Sequence, residues 1–375
     1  MKKKGAWRNR HKNLIEIFDN ILNIIYNYKK KLENNKTDTN NKVPTTYARA
    51  GVNIKSEEIA VNSIVSWAKK TFKFREGKTG EVMRDIGTFA NLIDMGDFAL
   101  AMCTDGAGTK VLVAQELKTY NTIGIDMIAM NVNDLICVGA EPIALVDYLA
   151  MEAIDAQIVK EIALGIYEGA KQSGIAVIGG ETATLGDVIK GIDNRGFDIA
   201  GTAIGVVNKD KIITGENILP GDFVIGLKSS GIHSNGLTLA RKVLPKAMYP
   251  EILKPTKIYV NEILNLLNNY GNKIHGLAHI TGGGFLNLTR LCNYGFIIDN
   301  PQKPQMVFNQ IQKFSGNSDR EMYRTFNMGT GFCVICSQEI AGEIEKNEDC
   351  EMQIIGRVVE EKGVRIVKDG EEIKL

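Results

Sequence analysis

The run Asp105-Gly106-Ala107-Gly108-Thr109-Lys110 holds the strongest chemical signal in the chain. Two glycines let backbone N–H groups approach anionic oxygens with no Cβ in the way. Thr109 adds a hydroxyl, Lys110 a positive charge suited to phosphate, and Asp105 a carboxylate suited to Mg²⁺. The spacing is not that of a Walker A loop, G-x-x-x-x-G-K-[ST]. Read alone, the run is also compatible with a plain glycine turn.

The segment that follows adds oxygen donors. At about 100° per residue, Asp126, Met130, Asn133 and Asp134 share one side of a helix predicted over Ile123–Val138, opposite Ile128, Val132, Leu135 and Ile136. A merely solvated face would carry Lys and Glu, whereas short carboxylates and an amide suit a hard divalent cation. Glu181, in Ile178-Gly179-Gly180-Glu181-Thr182-Ala183, ends a strand and becomes a metal or base candidate if the fold sets it beside Asp105. Further on, Ser229-Ser230-Gly231-Ile232-His233-Ser234-Asn235-Gly236 places His233 in a glycine- and serine-rich loop opening a helix, a setting for acid–base chemistry. Ser234 and Asn235 there are equally competing helix N-caps. Thr281-Gly282-Gly283-Gly284 precedes another predicted helix and forms a candidate anion site. Arg324 and Asn327 are anion binders or loop anchors. His275 and His279 lack the helix and acidic partner of a metal motif, and Cys333 and Cys336 form one CxxC with no second pair.

These groups must be held by an alternation of strands and helices. A helix is predicted from Ser56 to about Phe72 with Ile59, Ile64, Val65 and Ala68 inward. Strands are predicted at Phe98–Thr104, Ile143–Leu149, Ile175–Ile178 (buried), Phe197–Val207, Phe223–Leu227 and Gly331–Cys336, with helices at Asp155–Ser173, from Asn235, and at Tyr259–Leu267. Gly215, Pro220 and Gly221 mark a boundary. The expected class is therefore α/β (α+β), with domains at 44–215 and 216–375.

At 375 residues the chain is long enough for two cores, and 24% charged residues with a net charge of +1 argue against a uniformly basic nucleic-acid surface. No apolar run reaches the roughly 18–20 residues of a membrane span. Six scattered cysteines predict reduced thiols and a cytoplasmic location. Residues 1–42 carry eleven Lys/Arg against four Asp/Glu and nine asparagines, so 1–43 is expected to be a basic, mobile extension outside the fold.

The set TYARAGVNI, CTDGAGTK, GIDMIAMNVNDLICVGAEP, IGGETA, SSGIHSNG, HITGGGF and MYRTFNMGTG, in this order from Thr46 onward, resembles the phosphoribosylformylglycinamidine cyclo-ligase (aminoimidazole ribonucleotide synthetase) family of purine biosynthesis. The resemblance implies a homodimer whose N-terminal sheets pair into a barrel, with a C-terminal α/β domain outside. It also implies ATP and Mg²⁺ as cofactors, and cyclisation of formylglycinamidine ribonucleotide to aminoimidazole ribonucleotide with ADP and phosphate released. In that frame Asp105, Asp126 and Glu181 would carry Mg²⁺ with Asn133 and Asp134 in reserve. Gly106, Gly108, Thr109 and Lys110 would hold ATP phosphates, and His233 would act as acid, base or polarising group. Ser234, Asn235, Thr281 and Gly282–Gly284 would bind the substrate, with the glycines on its phosphate. The chain departs from the family at Met83–Phe89, where a glycine-rich stretch is usual, and in having residues 1–43 at all.

Overall fold

The computed structural model describes residues 54–346 and 351–375; the basic extension, the TYARAGVNI motif up to Asn53, and Cys350 lie outside the described residues. In chain order the first part contains α1 (Ile54–Lys69), β1 (Glu81–Val82), β2 (Asn91–Asp94), β3 (Phe98–Gly106), α2 (Lys110–Leu117), α3 (Ile123–Ile136), β4 (Glu141–Met151), α4 (Ala156–Ser173), β5 (Ala176–Thr184) and β6 (Phe197–Asn208). The second contains β7 (Phe223–Lys228), α5 (Leu237–Val243), α6 (Tyr249–Leu253), α7 (Val260–Tyr270), β8 (Ile274–His279), β9 (Gly295–Ile298), α8 (Met306–Ser315), α9 (Asp319–Thr325), β10 (Thr330–Cys336), α10 (Gln338–Glu345), β11 (Met352–Val359), β12 (Gly363–Lys368) and β13 (Glu371–Lys374).

Two sheets result. The first has order β1-β2-β3-β6-β4-β5 and the second β13-β12-β9-β11-β7-β10-β8. The first sheet is open in the single chain, with β1 and β5 as its edges, so no closed barrel exists within one copy. Pairing is antiparallel except β4 with β5 and β12 with β9. The parallel pair is joined by α4, as a parallel connection demands. Asp155 caps that helix, its side chain accepting from the Gln157 and Ile158 N–H groups, and Gly174 ends it with φ of 70°.

Helix α3 covers one face of the first sheet, and α4 packs against α3. They approach so closely that a Cβ on Gly124 would lie 2.2 Å from the Ile166 nitrogen, and one on Gly165 would lie 2.6 Å from the Asn121 carbonyl oxygen. The opposite sheet face has no covering layer among the described residues: Met102, Val146, Tyr148 and Ile178 are exposed there or at its edge. In the second sheet β10 is central enough that every residue from Thr330 to Cys336 is buried.

Three expectations change. Strand β5 exists, but as an exposed edge, because burial of an apolar run depends on neighbours that one copy does not supply. Helix α1 forms, yet Ile59 and Ile64 are exposed, not inward. In α3 both faces are buried, since the side bearing Asp126 and Asn133 packs against the second half of the chain.

Candidate active site

Strand β3 delivers Asp105 and Gly106 to the rim of the first sheet. Asn131 of α3 fixes this end by accepting from the Asp105 N–H (3.1 Å) and donating to the Asp105 carbonyl (3.0 Å). The Asp105 carboxylate accepts from the Gly106 N–H at 2.7 Å. A Cβ on Gly106 would sit 2.6 Å from the Ile199 carbonyl oxygen, and Gly108 has φ of 58°, so both glycines are needed for this path. Gly108 and Thr109 are exposed, and the Thr109 hydroxyl faces that of Thr238 at 3.4 Å. The loop of the first half thus opposes the loop opening α5 in the second.

Lys110 does not point into that opening. Its side chain is fully buried, and Nζ donates to Asp126 Oδ1 at 2.7 Å and to the Lys254 carbonyl. The same carboxylate oxygen accepts from the Thr256 N–H (2.7 Å), the Thr256 hydroxyl (2.7 Å) and the Ser234 hydroxyl (3.3 Å). Burial pulls the Lys110 pKa down, and the Asp126 charge opposes that pull. Two helical turns on, Asn133 accepts from the Tyr259 N–H (3.0 Å) and donates to the Lys257 carbonyl (2.9 Å). Asp134 accepts from Nδ1 of the buried His279 at 2.9 Å. The polar stripe of α3 is therefore a row of attachments to residues 254–259 and to the end of β8.

Asp105 lies near enough to Asp134 and His279 to feel both charges. Burial raises its carboxyl pKa; the Gly106 N–H opposes this, Asp134 adds to it, and His279 counters Asp134. Two acids near the exposed Gly108–Thr109 turn fit a divalent cation carrying phosphate oxygens, which needs few protein ligands. No group of three or more His, Cys, Asp or Glu side chains poised to hold a metal occurs among the described residues. Glu181 does not join Asp105: in register Asp105 faces Gly201, Gly201 faces Asp147, and Asp147 faces Gly180. That places Glu181 three strand spacings, about 14 Å, from β3. A metal–oxygen bond of about 2 Å cannot span that gap.

His233 is 1% exposed with φ of 57°. Its Nε2 accepts from the Ser230 N–H at 3.3 Å, which places the ring proton on Nδ1, and Nδ1 is buried without a hydrogen-bond partner. Burial first, and then the charges of His279, Lys110 and Lys257, hold its pKa well below the ordinary 6.5. The ring is neutral and offers a donor, not a proton acceptor. Ser234 bonds to Asp126 and Thr256, while Asn235 lies against Gly282, where a Cβ would be 3.2 Å from Asn235 Oδ1. Gly283 and Gly284 have positive φ, and a Cβ on Gly284 would strike the Tyr323 carbonyl oxygen at 2.1 Å. The Gly284 N–H closes onto the Thr281 carbonyl. Asn287 donates to the carbonyls of Gly282 and Gly284. Arg290 then reaches back across the halves, donating to the Gly87 and Thr88 carbonyls and stacking over Phe89 at 4.1 Å.

Asn327 anchors its loop, accepting from the Ser229 hydroxyl and the Gly329 N–H and donating to the Gly231 carbonyl. His275 pairs with Asp222 at 2.7 Å, and the five described cysteines are free. Sequence reasoning passed over Lys254-Pro255-Thr256-Lys257, although two cations flanking Pro-Thr were visible signals. It also passed over Asp147, a lone carboxylate in the apolar strand β4 whose pKa burial raises.

Family models for "AIR synthase related protein, N-terminal domain" and "AIR synthase related protein, C-terminal domain" match residues 87–207 and 220–369. The curated phosphoribosylformylglycinamidine cyclo-ligase of Thermococcus kodakarensis is 52% identical over 338 residues, covering 87% of this chain and 98% of that protein. The protein of the same name from Methanocaldococcus jannaschii is 46% identical, covering 84% and 92%. A solved structure described as AaThiL complexed with AMPPCP and TMP superposes with a TM-score of 0.59 at 17% identity, covering 83% and 93%, which shows a shared fold. Two mixed sheets, joined through a glycine loop and a buried polar seam, define an AIR synthase-related protein. Identity of about half over nearly the whole of the relatives goes further: the chain belongs to the phosphoribosylformylglycinamidine cyclo-ligase family.

Proposed function

We propose that the opening between the Gly106–Thr109 loop and the loops at 230–238 and 281–284 carries the family's reaction. That reaction is ATP-dependent cyclisation of formylglycinamidine ribonucleotide to aminoimidazole ribonucleotide, with ADP and phosphate released. The formyl-amide oxygen attacks the γ-phosphorus of ATP and the bond to the ADP oxygen breaks, which makes an imidoyl phosphate. The amidine nitrogen then attacks that carbon, the carbon–oxygen bond to phosphate breaks, and loss of a proton from nitrogen completes the ring. Such transfers depend on positioning and charge neutralisation more than on a protein nucleophile.

In this reading the exposed turn at Gly108 and Thr109 binds ATP phosphates, the Gly106 and Ala107 N–H groups being taken by the Asp105 carboxylate and the Ile199 carbonyl. Asp105 with Asp134 holds Mg²⁺, which would neutralise phosphate charge. Asn133 drops out of the cation set because its oxygen accepts from the Tyr259 N–H, while Asp126 has Oδ1 committed to Lys110 and Thr256 and keeps only the buried Oδ2 without a partner. His233 drops out as an acid or base, because its ring is buried and neutral. Ser234, Asn235, Thr281 and Gly282–Gly284 line the substrate side, with the turn at Gly282 and Gly283 facing its phosphate and the Gly284 N–H closing that turn onto Thr281. The domain division at 215/216 accords with Gly215 and Gly221 lying between the two sheets. A homodimer would cover the open face of the first sheet, and Glu181 enters the site only through that second copy. Free cysteines accord with a cytoplasmic enzyme.

The observation that carries this reading is Asp105 and the exposed glycine loop facing the second half's hydroxyl- and glycine-rich loops. The test is ADP release by the purified protein with formylglycinamidine ribonucleotide, set against thiamin monophosphate. Asp105→Asn is expected to reduce turnover by at least about a hundred-fold while the melting temperature stays nearly constant, since the variant keeps the side-chain shape. Wild-type turnover in that variant would remove Asp105 from the site.

A further inference from the structure

Lys110 sits at the first position of α2, one peptide bond from the exposed Thr109, so whatever holds Lys110 also sets the glycine loop. What holds it is Asp126 Oδ1, a single oxygen on which four donors converge: Lys110 Nζ, the Thr256 N–H and hydroxyl, and the Ser234 hydroxyl. Three of the four come from the second half of the chain. Lys110 returns the connection by donating to the Lys254 carbonyl, and the Ser230 hydroxyl donates to the Pro255 carbonyl at 2.6 Å. One buried atom therefore ties the phosphate-facing loop of the first half to residues 254–256 and 230–234 of the second.

Such a group is a poor choice for stability alone. Taking two charges out of water is costly, and an apolar pair of similar volume is often as stable. What the cluster does supply is direction: four donors, one of them a backbone N–H fixed in place, must converge on one oxygen, so they fix one register between two lobes. Full burial also leaves the Lys110 ammonium committed, with Asp126 and the Lys254 carbonyl as its partners, and not extended toward the exposed loop.

We infer that Lys110, Asp126 and Thr256 form an interlobe clasp whose role is to position the glycine loop against the 230–236 loop, so that Lys110 is a positioning residue and not a phosphate ligand. This rests on the reading of the reaction given above. ATP contacts made by the loop's N–H groups would survive loss of the clasp, whereas alignment between phosphoryl donor and substrate, bound on opposite lobes, would not. A misplacement of about 1 Å can cost about a hundred-fold in rate.

The test uses the full chain with Thr256→Val, Lys110→Met and Asp126→Asn. Two readouts are taken: steady-state kinetics with formylglycinamidine ribonucleotide, and hydrogen exchange of the amides from Lys254 to Tyr259. The clasp predicts kcat lower by about ten- to a hundred-fold in each variant with KM for ATP changed less than about three-fold, and exchange at Thr256 faster by at least about ten-fold. A KM for ATP raised more than about ten-fold in Lys110→Met at unchanged kcat would show a direct phosphate contact and overturn the inference. So would wild-type kcat in Thr256→Val, the mildest change and the one that carries the test if Lys110→Met does not fold. Absence of wild-type turnover would instead strike the proposed reaction. In that case exchange decides the clasp by itself, and unaltered protection at Thr256 in all three variants overturns it.

Discussion

His233 shows how a residue type can be right and its expected chemistry wrong. An imidazole in a glycine-rich loop suggests a group titrating near neutrality, but here it is sealed against Tyr259 and Gly331 and stays neutral. Its folded pKa lies below the unfolded 6.5, so between the two values the unfolded chain binds the extra proton. Stability therefore rises with pH up to about 6.5 and is lost as pH falls below it, with a limiting slope of about 1.4 kcal/mol per pH unit for one proton. His233→Asn removes the proton site, and Asn tolerates the left-handed backbone better than most residues. Urea unfolding at pH 7.5 and 5.5 should show the wild type losing about 1 kcal/mol more than the variant; parallel losses would show that His233 does not set the acid limb. The same blindness affected Lys110 and Asp126. Both stood out by type and spacing, but nothing local in the chain announces that they bond to each other and to Thr256, well over a hundred residues further on.

Elements were more legible than partners. Strand β3 before the glycine loop and the capped helix α4 follow from periodicity and turn residues, which are local properties. What periodicity cannot supply is which face meets what: α3 carries a polar stripe because it sits between two lobes, and β5 is apolar although one copy leaves it bare. Nor did the pattern reveal why α4 carries Gly165 and Gly169. Those glycines, with Gly124 of α3, let two backbones touch. Gly124→Ala would place a methyl 2.2 Å from a backbone nitrogen, which no rotamer change relieves. Overpacking of this kind costs about 1–3 kcal/mol when side chains can yield and more when backbone must move. Thermal melting should fall by several degrees or the protein should fail to fold. A melting temperature within about a degree of wild type would mean that the two helices separate freely.

At the scale of the molecule, the first sheet has one face packed by α3 and one without cover in the single chain. The uncovered side and its edge present Met102, Val146, Tyr148, Val177 and Ile178, and two threonines there, Thr104 and Thr202, bond to each other at 2.9 Å. The sheet is mostly antiparallel, so one bare face is not itself unusual, but a face built for water would carry more charged side chains than this one. A contiguous apolar patch of this kind marks an association surface. The occupant we propose is a second copy, whose own sheet offers the same small and apolar side chains, a self-complementary contact of the kind that two-fold dimers use. Sedimentation at micromolar concentration should therefore give twice the mass of the chain. The double substitution Val146→Asp and Ile178→Asp would bury facing carboxylates at a two-fold interface, where like charges repel and each loses hydration. It should shift the protein to a monomer with intact helices α3 and α4, seen as an unchanged far-ultraviolet circular dichroism spectrum. A wild-type protein that sediments as a stable monomer would contradict the pairing directly. A dimer that survives both aspartates would place the contact elsewhere, on a surface other than this sheet face.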